Sequence, residues 1–488
     1  MPATKSAPSS QPTPMLIGPN WIADDNSPFE STNPANGQCN CLISNAGDTL
    51  IDQAVHAAWH AVRQPAWRDM LPHKRAALLR AIADGMDRNA DTLARLQMIE
   101  NGKVRSECQA QVASASATFR YYAGVCETLN AEVTPSRGNY LSMTQYEPYG
   151  VVAAITPWNS PMTMEAQKVA PALAAGNAVI LKPSEITSLP ALELGRIALE
   201  AGLPPGILNV VTGMGATVGK RLVEHPGVRM VSFTGGTASG RAIARAAADK
   251  LMPVALELGG KSPHIVFGDA DQQAAIEGVI GGIFEGSGQS CVAGSRLYVQ
   301  RGIAQPFIER LVARAAQLKI DLPDAAGAQM GPIASFGHRD KIESMVGIAL
   351  AEGGEVLLGG RRPDTGALQA GAFYLPTILG ALTPDAHVVR EEIFGPVLCV
   401  LPFDDEDDLV AQANDSAYGL AAGIWTGDYR RAWRVARQLE AGSVWINTYK
   451  QLSIATPFGG FKQSGIGREK GLSGLRLYQQ SKGIYWGM

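Results

Sequence analysis

The chain has 488 residues, 46% of them hydrophobic and 18% charged, and a formal net charge of −3. Such a length predicts about three domains of ~150 residues, each able to bury its own core. With no basic field to hold a phosphate backbone or an anionic lipid surface, nucleic acid and membrane are excluded as partners, and no window approaches the ~18 consecutive apolar residues of a membrane span.

Residues 1–14 are rich in Ser, Pro and Thr, with Lys5 as their one charge and no apolar core of the secretory kind, and read as a mobile tail. Helical periodicity follows. Ile51, Val55, Trp59 and Val62 share one face, and Leu78, Leu79, Ile82 and Met86 resume the pattern after a break at Pro72, so roughly the first hundred residues are predicted to be largely helical. The stretch 137–146 alternates polar and apolar residues, as an exposed hairpin arm does. From there, short apolar runs at 150–155, 178–181, 207–211, 228–233 and 253–256 alternate with helix-length segments. That rhythm predicts β-α-β units and a parallel sheet buried on both faces. It resumes at 296–300, 397–401 and 443–447, which predicts a second α/β layer, while 353–365 and 382–387 read as surface connections. Leu475, Leu477 and Tyr485 near the C-terminus read as part of a subunit interface. Cys39, Cys41, Cys108, Cys126, Cys291 and Cys399 show no Cys-x-x-Cys pair and no zinc spacing, so no metal and a reducing, cytoplasmic compartment are expected.

Ligands of an open parallel sheet bind beyond the carboxyl ends of its strands, where helix N-termini and loops converge. Asn159 follows the first apolar run, Lys182 follows 178–181 within Lys182-Pro183-Ser184-Glu185, Thr234 follows 228–233 and Glu257 follows 253–256. Four strands thus deliver polar groups to one edge. The turn Phe233-Thr234-Gly235-Gly236-Thr237 opens a helix of small residues whose amides could face a pyrophosphate. No Gly-x-Gly-x-x-Gly follows the first strand, however, and structural turns explain the glycines equally well.

Cys291 ends the run Phe284-Glu285-Gly286-Ser287-Gly288-Gln289-Ser290-Cys291, and Glu257 lies within Ala255-Leu256-Glu257-Leu258-Gly259-Gly260-Lys261-Ser262-Pro263. A thiol able to act as nucleophile and a carboxylate able to act as base, each set among glycines, are the pair that covalent acyl transfer needs. Each also has a plainer reading: a small buried apolar thiol, a carboxylate capping a loop, a turn-satisfying Asn159, a solvated Lys182–Glu185 pair.

Together with Pro157-Trp158-Asn159, Glu391-Glu392-Ile393-Phe394-Gly395-Pro396 and Pro457-Phe458-Gly459-Gly460-Phe461-Lys462-Gln463-Ser464-Gly465, these blocks closely resemble the aldehyde dehydrogenase superfamily, from about residue 15 to the C-terminus. One departure is Gly286, where the family usually carries a larger residue such as Asn. The resemblance implies an α/β fold with two Rossmann-like parallel-sheet domains and a small β oligomerisation arm. An NAD-binding domain would take 15–129 and 149–258, a catalytic domain 259–465, and the arm 130–148 and 466–488, in a homodimer or homotetramer.

It further implies that Cys291 attacks an aldehyde carbonyl, that Asn159 and the Cys291 backbone N–H hold the oxyanion, and that Glu257 activates the water that releases the acid. The implied cofactor contacts are Ile155, Trp158, Lys182, Glu185, Phe233, Gly235, Gly236, Leu258, Glu392 and Phe394. A carboxylate at Glu185 accepts hydrogen bonds from ribose hydroxyls and repels a 2′-phosphate, so NAD is expected over NADP. The implied substrate tunnel is lined by Ser160, Thr163, Met164, Gln167, Glu285, Leu452 and Phe458. Glu285 there would favour a polar or cationic aldehyde, unless it points to solvent.

Rival readings separate on the same residues. CoA-acylating semialdehyde dehydrogenases lack the general-base glutamate, which Glu257 supplies. A cofactor-free cysteine hydrolase would need a His-containing motif beside Cys291, and none accompanies it. An inactive binding homologue would have lost Cys291, Glu257 or Asn159, and all three are present.

Overall fold

Apolar runs from the middle of the chain become a parallel sheet whose carboxyl ends line up in register. A computed structural model describes residues 11–24, 26–364 and 366–488. Its first sheet runs, in spatial order, Asn20–Ile22, Met15–Ile17, Leu208–Val210, Ala178–Lys182, Val151–Ile155, Met230–Thr234, Val254–Glu257 and Gly465–Ile466. The five strands from Leu208–Val210 to Val254–Glu257 are parallel. Val151–Ile155 and Ala178–Lys182 are buried along their whole length, as an apolar run covered on both faces must be. Register pairs Ile155 with Lys182 and with Phe233, and Thr234 with Glu257. One edge of the sheet therefore presents all of these side chains.

Helices Asp48–Arg63, Pro72–Arg88, Ala90–Asn101 and Arg105–Glu127 cover the sheet and share one large core with it. Pro72 starts its helix rather than interrupting one, because a missing N–H is harmless in the first turn.

A second sheet holds six parallel strands in the order Thr377–Gly380, Val397–Phe403, Arg296–Gln300, Pro263–Val266, Ala421–Trp425 and Ser443–Ile446. Glu355–Leu358 adds an antiparallel edge strand, so the segment 353–365, expected as a surface connection, carries regular structure; Thr365 lies outside the described residues. A third sheet pairs Tyr140–Pro148 antiparallel with Gln479–Gly487 and with Glu132–Thr134.

Two boundaries differ from the expectation. Residues 1–10 lie outside the described residues, but Thr13 N donates to Leu42 O (2.8 Å) and Ser44 N donates to Thr13 O (3.2 Å), so the chain is tied into the fold before residue 15. Residues 466–478 belong with the first sheet: Gly465–Ile466 pairs with its edge, and Leu475 and Tyr478 are fully buried in its core. Leu475 is thus packed within its own chain, whereas Tyr485 is exposed. Among the described residues, no helix is long and apolar enough to cross a membrane, and no group of three or more His, Cys, Asp or Glu side chains is arranged to hold a metal ion.

Candidate active site

Cys291 reaches the sheet edges through a left-handed turn. After the helix Gln272–Phe284, residues Gly286, Ser287 and Gly288 take φ of +64°, +56° and +71°. A side chain at Gly288 would run into the Gly395 backbone, so the turn passes directly against the loop carrying Glu392 and Phe394. Gly286 N donates to Glu107 Oε1 (2.6 Å), and Ser287 Oγ donates to Gly331 O (2.8 Å). Gln289 braces the turn from within, its Nε2 donating to Gly286 O (3.2 Å) and its Oε1 accepting from Ala334 N (2.9 Å). Asn159 Nδ2 donates to Gln289 O (3.0 Å), which joins the loop after Val151–Ile155 to the cysteine turn and leaves the second amide hydrogen free.

Two cavities meet at Cys291. One measures about 270 Å³ and the other about 620 Å³, and Cys291, Asn159 and Met164 line both. The partly accessible cysteine therefore stands at the neck between two chambers.

The smaller chamber brings together Trp158, Gly235, Gly236, Leu258, Glu392 and Phe394 of the expected cofactor contacts. Trp158 meets Phe394 and His338 edge-on, at centroid distances of 5.3 and 5.2 Å. Glu392 Oε1 accepts from Gly260 N (3.0 Å), and any side chain at Gly259 would overlap that carboxylate. Ile155, Lys182, Glu185 and Phe233 do not line this chamber; they lie along the adjoining strand ends, where Lys182 Nζ stands 3.3 Å from Glu185 Oε2. The helix Thr237–Ala248 starts at Gly236 with no side-chain cap, and Thr234 Oγ1 is buried without a partner. Open amides and an orphaned hydroxyl beside a carboxylate suit a ligand with phosphates and ribose hydroxyls.

The larger chamber contains every position expected on the substrate side. Ser160 precedes the helix Pro161–Ala174, which supplies Thr163, Met164 and Gln167; Glu285 comes from the cysteine turn, and Leu452 and Phe458 close the wall. Glu285 is 58% exposed on its side chain, in keeping with the solvent-facing alternative, with Lys450 Nζ at 3.8 Å.

Comparison with known proteins identifies the family. Residues 21–484 match the model of the aldehyde dehydrogenase family. The chain belongs to that family. A betaine aldehyde dehydrogenase of Staphylococcus aureus, solved in complex with NAD+, is 38% identical with a TM-score of 0.96, over 98% of this chain and 95% of the other. A putative aldehyde dehydrogenase from Burkholderia cenocepacia is 41% identical (TM-score 0.95, 98% of both chains), and a mutant of an aldehyde dehydrogenase from Bacillus cereus is 37% identical (TM-score 0.95, 98% of this chain and 96% of the other).

In this aldehyde dehydrogenase the electrostatics of the neck are dominated by burial. Glu257 is 4% exposed, neither carboxylate oxygen has a hydrogen-bond partner, and burial together with nearby Glu469 pushes its carboxyl well above the usual range. Burial, reinforced by Glu257 and Glu392, pushes the Cys291 thiol up to about 12; Lys470 acts the other way. Glu469 is held by a buried ion pair with Lys168 (2.6 Å), and Lys168 Nζ and Tyr478 OH both donate to Ser232 Oγ (3.1 and 3.0 Å).

Several lining residues escaped the sequence reading: Lys103, Glu107, Gln111, Lys450 and Lys470 in the larger chamber, and His338 and Lys341 in the smaller. A signal existed for part of this wall. Glu107, Gln111, Ser114 and Thr118 recur at helical spacing as a polar row beside Cys108, Val112, Ala115 and Phe119, which are buried. His338 Nε2 is engaged with Phe394 O (2.8 Å), and no hydrogen bond joins a histidine to Cys291 among the described residues.

Proposed function

We propose that this enzyme oxidises an aldehyde to the carboxylic acid with NAD+, through an adduct on Cys291 that Glu257 helps to hydrolyse. The reading rests above all on one observation, that Cys291 and Asn159 line both chambers at their junction. A carbonyl entering from the larger chamber can then meet the sulfur beside a group docked in the smaller one.

Cys291 Sγ, as thiolate, adds to the carbonyl carbon and forms a thiohemiacetal. The free amide hydrogen of Asn159 and the Cys291 N–H face the developing oxyanion. NAD+, when bound, supplies the acceptor for the hydride whose loss turns the adduct into a thioester. Gly235 and Gly236 would face its pyrophosphate, Glu392 and Phe394 its nicotinamide half, and Lys182 and Glu185 its adenosine ribose. Glu257, with both oxygens unpartnered, takes a proton from water as that water attacks the thioester, and Cys291 leaves as thiolate. Asn159→Ala is expected to lower kcat by roughly 10²–10³ with a smaller change in KM, measured by steady-state NADH formation.

Cofactor choice follows from Glu185, whose side chain is 34% exposed while its Lys182 partner is buried. An outward carboxylate disfavours a 2′-phosphate. Assays across an aldehyde panel should give NADH only when aldehyde is present, with kcat/KM higher for NAD+ than for NADP+. Glu185→Gln should narrow that ratio about tenfold, a change of ~1.4 kcal/mol. Absence of aldehyde-dependent NADH with every class of aldehyde would refute the function. A preference for NADP+ would refute only the Glu185 argument.

A further inference from the structure

The larger chamber carries more positive charge than its chemistry accounts for. Its charged lining consists of Lys103, Lys450, Lys470, Glu107 and Glu285. Glu107 accepts from Gly286 N (2.6 Å), and Glu285, 58% exposed on its side chain, lies 3.8 Å from Lys450 Nζ, so neither carboxylate is paired with Lys103. Lys450 Nζ also donates to Gly281 O (2.9 Å). Lys470, 7% exposed, lays its ammonium 5.2 Å from the Phe458 ring centroid. Lys103 is 9% exposed, and its ammonium makes no hydrogen bond or ion pair among the described residues. A Cβ built at Gly286 would overlap Lys103 Nζ, so any side chain at position 286 would shift the ammonium from this place. The Lys103 stem is covered while its ammonium opens into the chamber with no partner among the described residues, so an anionic group entering there would meet an unpaired cation at short range.

We propose that Lys103, in the space left by Gly286, is a specificity residue that binds an anionic group on the substrate, so that this enzyme prefers an aldehyde bearing a carboxylate. This rests on the function proposed above and names its substrate class. The same wall argues against a quaternary ammonium aldehyde. Such cations are recognised by aromatic cages, and Phe458 is the one aromatic side chain among the described residues lining the chamber.

The test measures kcat/KM with NAD+ for succinic and adipic semialdehydes, their methyl esters and gamma-aminobutyraldehyde. At least one acid should exceed its ester by about tenfold or more. Lys103→Met should reduce the acid-to-ester ratio about tenfold, and Gly286→Asn, whose side chain tolerates a positive φ, should reduce it similarly by displacing the ammonium. Calorimetric titration of the Cys291→Ala protein with succinate and adipate should show binding that Lys103→Met weakens. The proposal falls if the esters or the amine equal the acids, or if both substitutions leave the ratio within about twofold. Oxidation of every probe without preference, or of none of them while another class of aldehyde gives NADH, sinks this inference alone; absence of NADH with every class of aldehyde sinks it together with the function on which it rests.

Discussion

Replacing Cys291 by alanine should remove aldehyde-dependent NADH formation, a loss on the order of 10⁶ when a covalent nucleophile is taken from an otherwise intact site. No other sulfur can substitute. Cys108, Cys126 and Cys399 are buried, and Cys39 and Cys41 sit in the strand Cys39–Ile43; none of the five lines either chamber. Because Cys291 stands at the neck rather than in the core, its truncation leaves both chambers formed. NAD+ should therefore still raise the melting temperature of the variant, which separates lost chemistry from lost folding. In the wild-type enzyme without cofactor, the thiol is pushed up to about 12 by burial, Glu257 and Glu392. Alkylation by iodoacetamide should then be slow at neutral pH and climb steeply as pH rises, since only the thiolate reacts. Intact-mass spectrometry after a single turnover should detect an acyl adduct on the wild-type chain and none on Cys291→Ala. Residual turnover of the variant above about one part in a hundred would place the covalent step elsewhere.

What the chain announces locally and what only the assembled molecule reveals divide along physical lines. Val151–Ile155, Ala178–Lys182 and Arg296–Gln300 were readable because strands covered on both faces must be continuously apolar. Lys182, Thr234 and Glu257 were readable because they terminate such runs. Glu355–Leu358 was not, since an edge strand that is mostly exposed and bracketed by Gly353, Gly354, Gly359 and Gly360 has the composition of a loop. Leu475 and Tyr478 show the same ambiguity from the other side: an apolar terminus can cover a neighbouring subunit or its own sheet, and composition does not distinguish the two. The larger chamber was half legible. Ser160, Thr163, Met164 and Gln167 came with a recognisable motif, but Lys103 and Glu107 face Gly286 only after segments far apart in sequence have packed together. The charge a ligand meets in the chamber depends on where side chains point after folding, and Glu285, whose direction the sequence leaves open, is 58% exposed with Lys450 Nζ at 3.8 Å.

Substituting Glu257 by glutamine should separate acylation from hydrolysis. The glutamine keeps the shape of the side chain and loses the base, so Cys291 can still be acylated while the thioester accumulates. Rapid mixing should show a burst of about one NADH per active site, followed by a steady state about 10²–10⁴ lower than wild type. The wild-type pH profile carries the sign of the environment. Hydrolysis needs the carboxylate, and burial and Glu469 both disfavour it, so steady-state turnover should rise with pH through a range above the usual carboxylate titration. Glu469→Gln removes the like charge and leaves the Lys168 ammonium without its partner. Both changes favour ionised Glu257, so this variant's rising limb should move to lower pH while the burst amplitude stays near one per site. If Glu257→Gln showed no burst and lost acylation in equal measure, the carboxylate would instead be serving the thiol. If steady-state turnover fell less than about tenfold, water activation would belong to another group.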